Sequence, residues 1–204
     1  MSLLFNPTLF IVIITVLVSL AAWQSQALMA RLIFYPPAIA RGQVDRFVTH
    51  GFIHADTMHL LFNMITLFSF GQAVQRIFNA HLGGLGFILF YLVALVVASV
   101  PSYLQHKDDR RYSSLGASGA VMAVVFSYIL FDPWTRIYFF IIPMPAIVFA
   151  LLYVGYSIWA HDRGGSSVNH SAHLVGGMFG VVATILIEPN VIGQFVYQIM
   201  HPRF

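Results

Sequence analysis

Residues 3–29 include no Asp, Glu, Lys or Arg, and 17 of the 27 are Leu, Ile, Val, Phe or Ala. A helix of about 20 such residues crosses the hydrocarbon core of a bilayer, because it satisfies its own backbone hydrogen bonds where no water is available. The rest of the chain obeys the same constraint. Of 204 residues, 59% are hydrophobic and 8% charged, whereas a soluble domain has about 45–50% and about 25%. So few charges cannot cover a protein surface in water. A soluble enzyme, a nucleic-acid binder and a disordered tail are excluded together. The net charge of +3 is small, and the absence of cysteine removes disulfides, thiolate nucleophiles and Cys-based zinc sites.

The hydrophobic stretches predict six helices in one domain spanning residues 1–204, at about 3–29, 56–75, 83–104, 115–131, 137–160 and 171–187. The first lacks a basic leader and is too long for the core of a signal peptide, so it reads as a retained helix. The fifth carries Pro143 and Pro145 and is expected to kink near its start. Between the first two helices, residues 31–54 mix Pro36, Pro37, Arg41, Asp45 and Arg46 with Phe and Ile. That mixture suits a structured loop lying in or near the membrane interface. The first three segments do not resemble the last three, which weakens a transporter reading. An even number of spans puts both termini on one side. The side opposite the termini then holds Arg31, Arg41, Arg46, Lys107, Arg110, Arg111 and Arg163, against Arg76, Arg136 and Arg203 on the other. By the positive-inside rule, the basic-rich side would face the cytoplasm.

The acids stay at boundaries or in loops, so the polarity that enters the spans is histidine, asparagine and serine. Three groups stand out. In His50, His54, His59 and Asn63, the last two are four apart and share a helix face. Interfacial anchoring would explain this group alone; a metal site would need more ligands, and no carboxylate lies between His54 and His59. Gly116-Ala117-Ser118-Gly119 opens the fourth helix, with Gly116/Ala120 and Gly119/Ala123 at the spacing that lets two helix backbones approach. His170-Ser171-Ala172-His173 opens the sixth, where Ala172, Gly176 and Gly180 make a second small-residue stripe. Two such thin faces can bring Ser118 and His173 within hydrogen-bond reach, which is the arrangement of a base-activated nucleophile.

Taken together and in order, His54-x4-His59-x3-Asn63, Gly116-Ala117-Ser118-Gly119 and His173-x3-Gly177 resemble the rhomboid family of intramembrane serine proteases, over nearly the whole chain. The resemblance implies an all-α, six-transmembrane-helix rhomboid-like bundle with a membrane-associated first loop. It implies a Ser118–His173 dyad without an acid, with His59 and Asn63 as oxyanion donors beside the Ser118 backbone N–H. His54, His50, His170, Gly116, Gly119 and Gly177 are expected to support the site. No cofactor, metal or nucleic acid is implied; the partners are membrane lipid and transmembrane protein substrates. The implied setting is a bacterial cytoplasmic membrane, with the site opening to the extracytoplasmic side, against the charge count above. A catalytically silent relative that binds transmembrane clients is the alternative.

Three positions depart from the family pattern. The Trp-Arg pair common in the first loop is Asp45-Arg46, the aromatic four after the serine is Met122, and an acidic residue near the end of the second helix is Gln75. None removes a catalytic atom. Met122 is expected to alter how the histidine is held.

Overall fold

The computed structural model describes residues 6–139, 142–163 and 169–202. Within them the chain is a bundle of helices, as expected of an all-α membrane protein. Helix α1 (Pro7–Gln24) is capped by Asn6, whose side chain accepts from the Leu9 N–H, and begins with a proline that needs no N-terminal donor. Ser25 then adopts an extended backbone and caps a separate α2 (Gln26–Leu32) by accepting from the Leu28 N–H. The first predicted helix is thus two, because a serine bonded to its downstream turn starts a new helix instead of continuing the old one. Its predicted start at residue 3 lies outside the described residues.

The first loop contains two single-turn helices, α3 (Pro36–Ile39) and α4 (Arg46–Thr49). Asp56 caps α5 (Thr57–Leu82), which runs almost two turns past the predicted end. Gly83, at φ +82°, turns the chain into α6 (Gly86–His106), and the Asn79 side chain accepts from the Phe87 N–H across that turn. Helix α7 (Ser118–Phe131) comes next, followed by α8 (Ala146–Arg163), α9 (His170–Ile187) and a terminal α10 (Val191–Met200). The helices Pro7–Gln24, Gly86–His106 and His170–Ile187 are each long and apolar enough to cross a membrane.

Where the fifth helix was predicted from residue 137, the chain first forms a two-stranded antiparallel ribbon. Strand β1 (Arg136–Phe139) pairs with β2 (Ile142–Pro145), matching Tyr138 with Pro143. Both strands are edges, so the missing N–H groups of Pro143 and Pro145 are tolerated there, whereas a helix interior would lose hydrogen bonds to them.

Helix α7 is the axis of the fold. Ten of its 14 residues are buried, among α5, α6 and α9, which is why it is apolar all round and not amphipathic. At about 1.5 Å per residue it is shorter than the ~30 Å hydrocarbon core, so at least one of its ends lies below the membrane surface. Its seam with α9 is made by backbone. A Cβ on Gly176 would overlap the Gly119 carbonyl oxygen, and one on Gly180 would overlap that of Ala123. The predicted meeting of the two small-residue stripes therefore holds for Gly119, Ala123, Gly176 and Gly180. It fails for Gly116, which at φ +113° lies in the loop before the helix and not on its face.

Candidate active site

The first loop builds the platform. Arg46, 6% exposed, donates to the carbonyls of Ala30 (2.9 Å) and Ile33 (2.6 Å) and to the Gln43 side chain (2.7 Å). Guanidinium donors thereby close the loop on itself, and Asp45 is left to pair with Arg31 on the surface at 2.6 Å. That pairing holds the Asp45 carboxyl below its ordinary range, chiefly through the hydrogen bond. The loop so fixed grips the segment before α7 at three points. Phe34 and Ser114 exchange backbone hydrogen bonds at 3.0 and 3.1 Å, the Gly116 N–H donates to the His50 carbonyl at 2.9 Å, and the Ala117 N–H donates to His54 Nε2 at 3.3 Å.

His54 is fully buried, and its protonation follows from its neighbours. The Ser19 hydroxyl donates its one proton to the Phe52 carbonyl (3.1 Å), so at His54 Nδ1 (3.1 Å) it accepts. The proton of His54 is therefore on Nδ1 and the lone pair of Nε2 faces Ala117. Burial pushes His54 down to about 3 and His50 down to about 4, so both are neutral. His50 Nε2 lies 2.9 Å from the Ser99 hydroxyl, which itself donates to the Leu95 carbonyl at 2.7 Å. The Ser99 proton is thus committed, and His50 is the donor.

Gly116 sits against His59. A Cβ there would lie 2.6 Å from the His59 ring carbon Cε1 and 2.8 Å from Nε2, so glycine serves both the left-handed turn and the close approach. The His54 and His59 rings meet edge to face at 4.9 Å. Asn63, one turn along α5 and 6% exposed, donates one amide hydrogen to the His59 carbonyl at 2.8 Å, which leaves its second hydrogen for another acceptor. Gly119 and Gly177 serve packing. The first faces the Ala98 side chain, and the second lies on the Phe126 ring.

Ser118 is the first residue of α7 and His173 stands in the first turn of α9. Their side chains meet with His173 Nε2 2.5 Å from Ser118 Oγ. A hydroxyl bonded to a neutral imidazole has a base to take its proton. Asn169 caps α9, accepting from the Ala172 N–H at 3.1 Å while its amide donates to the hydroxyls of Ser102 (2.7 Å) and Tyr112 (3.1 Å). His170 is buried with its edge toward Tyr156 and His173. A cavity of about 30 Å³ adjoins Ser118; its lining is mainly apolar but includes His50, Ser99, Ser102 and Asn169, and it is large enough for a water molecule.

The spacing of the motifs thus predicted the meeting of Ser118 with His173 and the placing of His54 and His59 against the same loop, while Asn63 lies one turn beyond His59 on α5. Sequence reasoning missed Asn169, though Asn before an apolar helix is an N-cap signal. It also missed Tyr153, whose hydroxyl lies 2.5 Å from His173 Nδ1. No local pattern marks that residue.

A polytopic helical membrane protein with a half-buried Ser–His pair, beside a first loop that carries His50 and His54, is thereby defined. Residues 41–190 match the family model of the Rhomboid domain, and the chain belongs to the rhomboid family. Among its relatives, RHOMBOID-like protein 12, mitochondrial, of Arabidopsis thaliana is 33% identical over 154 residues, 70% of this chain and 46% of that protein. Rhomboid protease GluP of Bacillus subtilis is 29% identical over 160 residues, 76% of this chain and 29% of that protein. Rhomboid protease GlpG of Salmonella choleraesuis is 28% identical over 194 residues, 91% of this chain and 64% of that protein. The chain spans less than half the length of the first of these relatives.

Proposed function

We propose that this chain is an intramembrane serine endopeptidase, acting as one domain, that hydrolyses a peptide bond in or near a transmembrane segment of another membrane protein. The observation that carries the reading is the 2.5 Å hydrogen bond between Ser118 Oγ and His173 Nε2 at the adjoining helix starts. Ser118 Oγ attacks the scissile carbonyl carbon as its proton passes to His173 Nε2. The oxyanion is met by the Ser118 N–H, by His59 and by the second Asn63 hydrogen, each such donor being worth about 2.7–4 kcal/mol in the transition state. His173 then returns the proton to the leaving amine, giving an acyl-enzyme. Water from the small cavity beside Ser118 attacks the ester with His173 again as base, and releases the second product. Every group can rest neutral, which suits a site enclosed in apolar helices. Substrates with helix-breaking or small residues near the cut are favoured, because a helical peptide bond must give up its hydrogen bond before attack.

Support for the membrane setting comes from the relatives. These include rhomboid proteases named from bacteria as well as a protein named as mitochondrial. We assign the chain to a bacterial cytoplasmic membrane, with the site opening away from the cytoplasm. The test of the chemistry is fluorophosphonate labelling, paired with cleavage of a transmembrane substrate in liposomes. Ser118→Ala is expected to abolish both, and His173→Ala to abolish cleavage. Cleavage that survives in either variant overturns the dyad, and a wild type that binds substrate without cutting it supports the silent alternative.

A further inference from the structure

The imidazole of His173 has a second nitrogen, and its neighbour comes from a helix that contributes nothing else to the dyad. Tyr153, on α8, places its hydroxyl 2.5 Å from His173 Nδ1. The two rings lie 6.2 Å apart at 29°, so the phenol also limits rotation of the imidazole. Met122, one turn beyond Ser118 and buried, brings no ring to this point.

A neutral imidazole carries one proton, on either nitrogen. If Nε2 carried it, the lone pair facing Ser118 would be gone and the base would be blocked. If Nδ1 carries it, Nε2 is free to take the serine proton, and the partner at Nδ1 must be an acceptor. A tyrosine oxygen is one. We propose that Tyr153 is the positioning residue of His173, its phenolic oxygen accepting from Nδ1–H so that the ring rests as the tautomer competent to activate Ser118. This rests on the dyad reading above. Ser157, one turn farther along α8, is fully buried and its hydroxyl makes no hydrogen bond among the described residues, so its oxygen is unspent as an acceptor for the phenolic proton. When Nε2 gains the serine proton, both imidazolium N–H groups have acceptors, and the charge is held by dipoles with no buried carboxylate. Among the described residues no carboxylate hydrogen-bonds His173. In Ser-His-Asp triads the same nitrogen is held by an aspartate, and losing the correct tautomer costs those enzymes about 10⁴-fold. A neutral orienter that holds the ring less firmly should be worth on the order of 10–100-fold, within the ordinary range of general-base catalysis.

The test uses the full chain in liposomes and the variant Tyr153→Phe, which keeps the ring and removes only the oxygen. In wild type, ¹⁵N spectra of labelled histidine should find the His173 proton on Nδ1. In Tyr153→Phe the signal should become a mixture of tautomers. The rate of fluorophosphonate labelling and kcat should fall about 10–100-fold while KM for a transmembrane substrate is unchanged. Equal labelling rates in the two proteins overturn the proposal, as does a wild-type His173 whose proton sits on Nε2. That last measurement needs no variant to fold. A wild type whose Ser118 does not label would defeat the protease reading instead, and the tautomer measurement would still decide the role of Tyr153.

Discussion

His54 illustrates how much one residue can do here without touching substrate. Its Nδ1–H is fixed by Ser19 on α1 and its Nε2 accepts from Ala117, the residue before Ser118. The loop that presents the serine is therefore tied to α1 through a neutral ring. Neutrality has a measurable consequence. His50 and His54 are depressed to about 4 and about 3 in the folded chain, while free imidazole titrates near 6.5. Between those values the unfolded chain binds protons that the folded chain refuses, so stability rises with pH across the window. The contribution is complete above about pH 6.5 and is lost on acidification toward 4. Thermal unfolding in detergent should move to lower temperature from pH 7 to pH 4. His50→Gln, which retains a donor for Ser99, should flatten the slope; an unchanged slope would mean that His50 is not the titrating group. His54, His59, Asn63, Ser118 and His173 were legible because each motif sits at a fixed spacing within one segment. Tyr153 was not, because its meeting with His173 depends on the register of one helix against another. The departure at Gln75 also resolves at this scale. Its side-chain oxygen accepts from the backbone N–H (2.7 Å) and hydroxyl (2.8 Å) of Thr8, so a neutral amide satisfies the start of α1.

At the scale of elements, hydropathy located the helices but not their ends. Caps and turns set those, as at Ser25, Gly83 and Gly116, where a short-range hydrogen bond or a positive φ outweighs apolar continuity. The ribbon of β1 and β2 was hidden for a related reason: its residues are as apolar as a helix, and only Pro143 and Pro145 betray it. The α7–α9 seam was the most readable element, because small residues at one-turn spacing have few other uses in a membrane helix. Gly176→Ala should push α9 away from the Gly119 carbonyl, costing activity at least about tenfold and destabilising the protein by about 1–3 kcal/mol, as overpacking does. Gly193→Ala is the matched control, since a Cβ there meets nothing within 4 Å. Equal unfolding and activity in the two variants would show that the seam does not set the dyad.

For the whole molecule, side-chain contacts establish which end of the bundle is which. Gln75 joins Thr8 at one end, and His81 approaches Glu188 to 3.5 Å near the same end. Ser118, His173, Ser19 and Ser99 gather at the other. The described N-terminus and α10 thus lie away from the dyad. Charge counting would turn the dyad side to the cytoplasm, opposite to the orientation proposed above. Arg46 is spent on backbone carbonyls inside the first loop and Arg31 is paired, which leaves five of the seven bases on the dyad side against three on the other. A chain without cysteine makes the question direct. Lys107→Cys should react with a membrane-impermeant maleimide added outside intact cells, and Arg136→Cys should react only after permeabilisation. The reverse pattern would place the dyad on the cytoplasmic side.

The glycine seam has a mechanical corollary. Where main chain rests on main chain, as Gly176 does on the Gly119 carbonyl, the spacing has no side chain to yield, and the pair responds to load as a single strut. A thicker or thinner bilayer is accommodated by tilt, and α7 and α9 should tilt together. The Ser118–His173 separation is therefore insulated from lipid thickness. A change of bilayer should act on how substrate reaches the site and leave the distance between the two reacting atoms as it is.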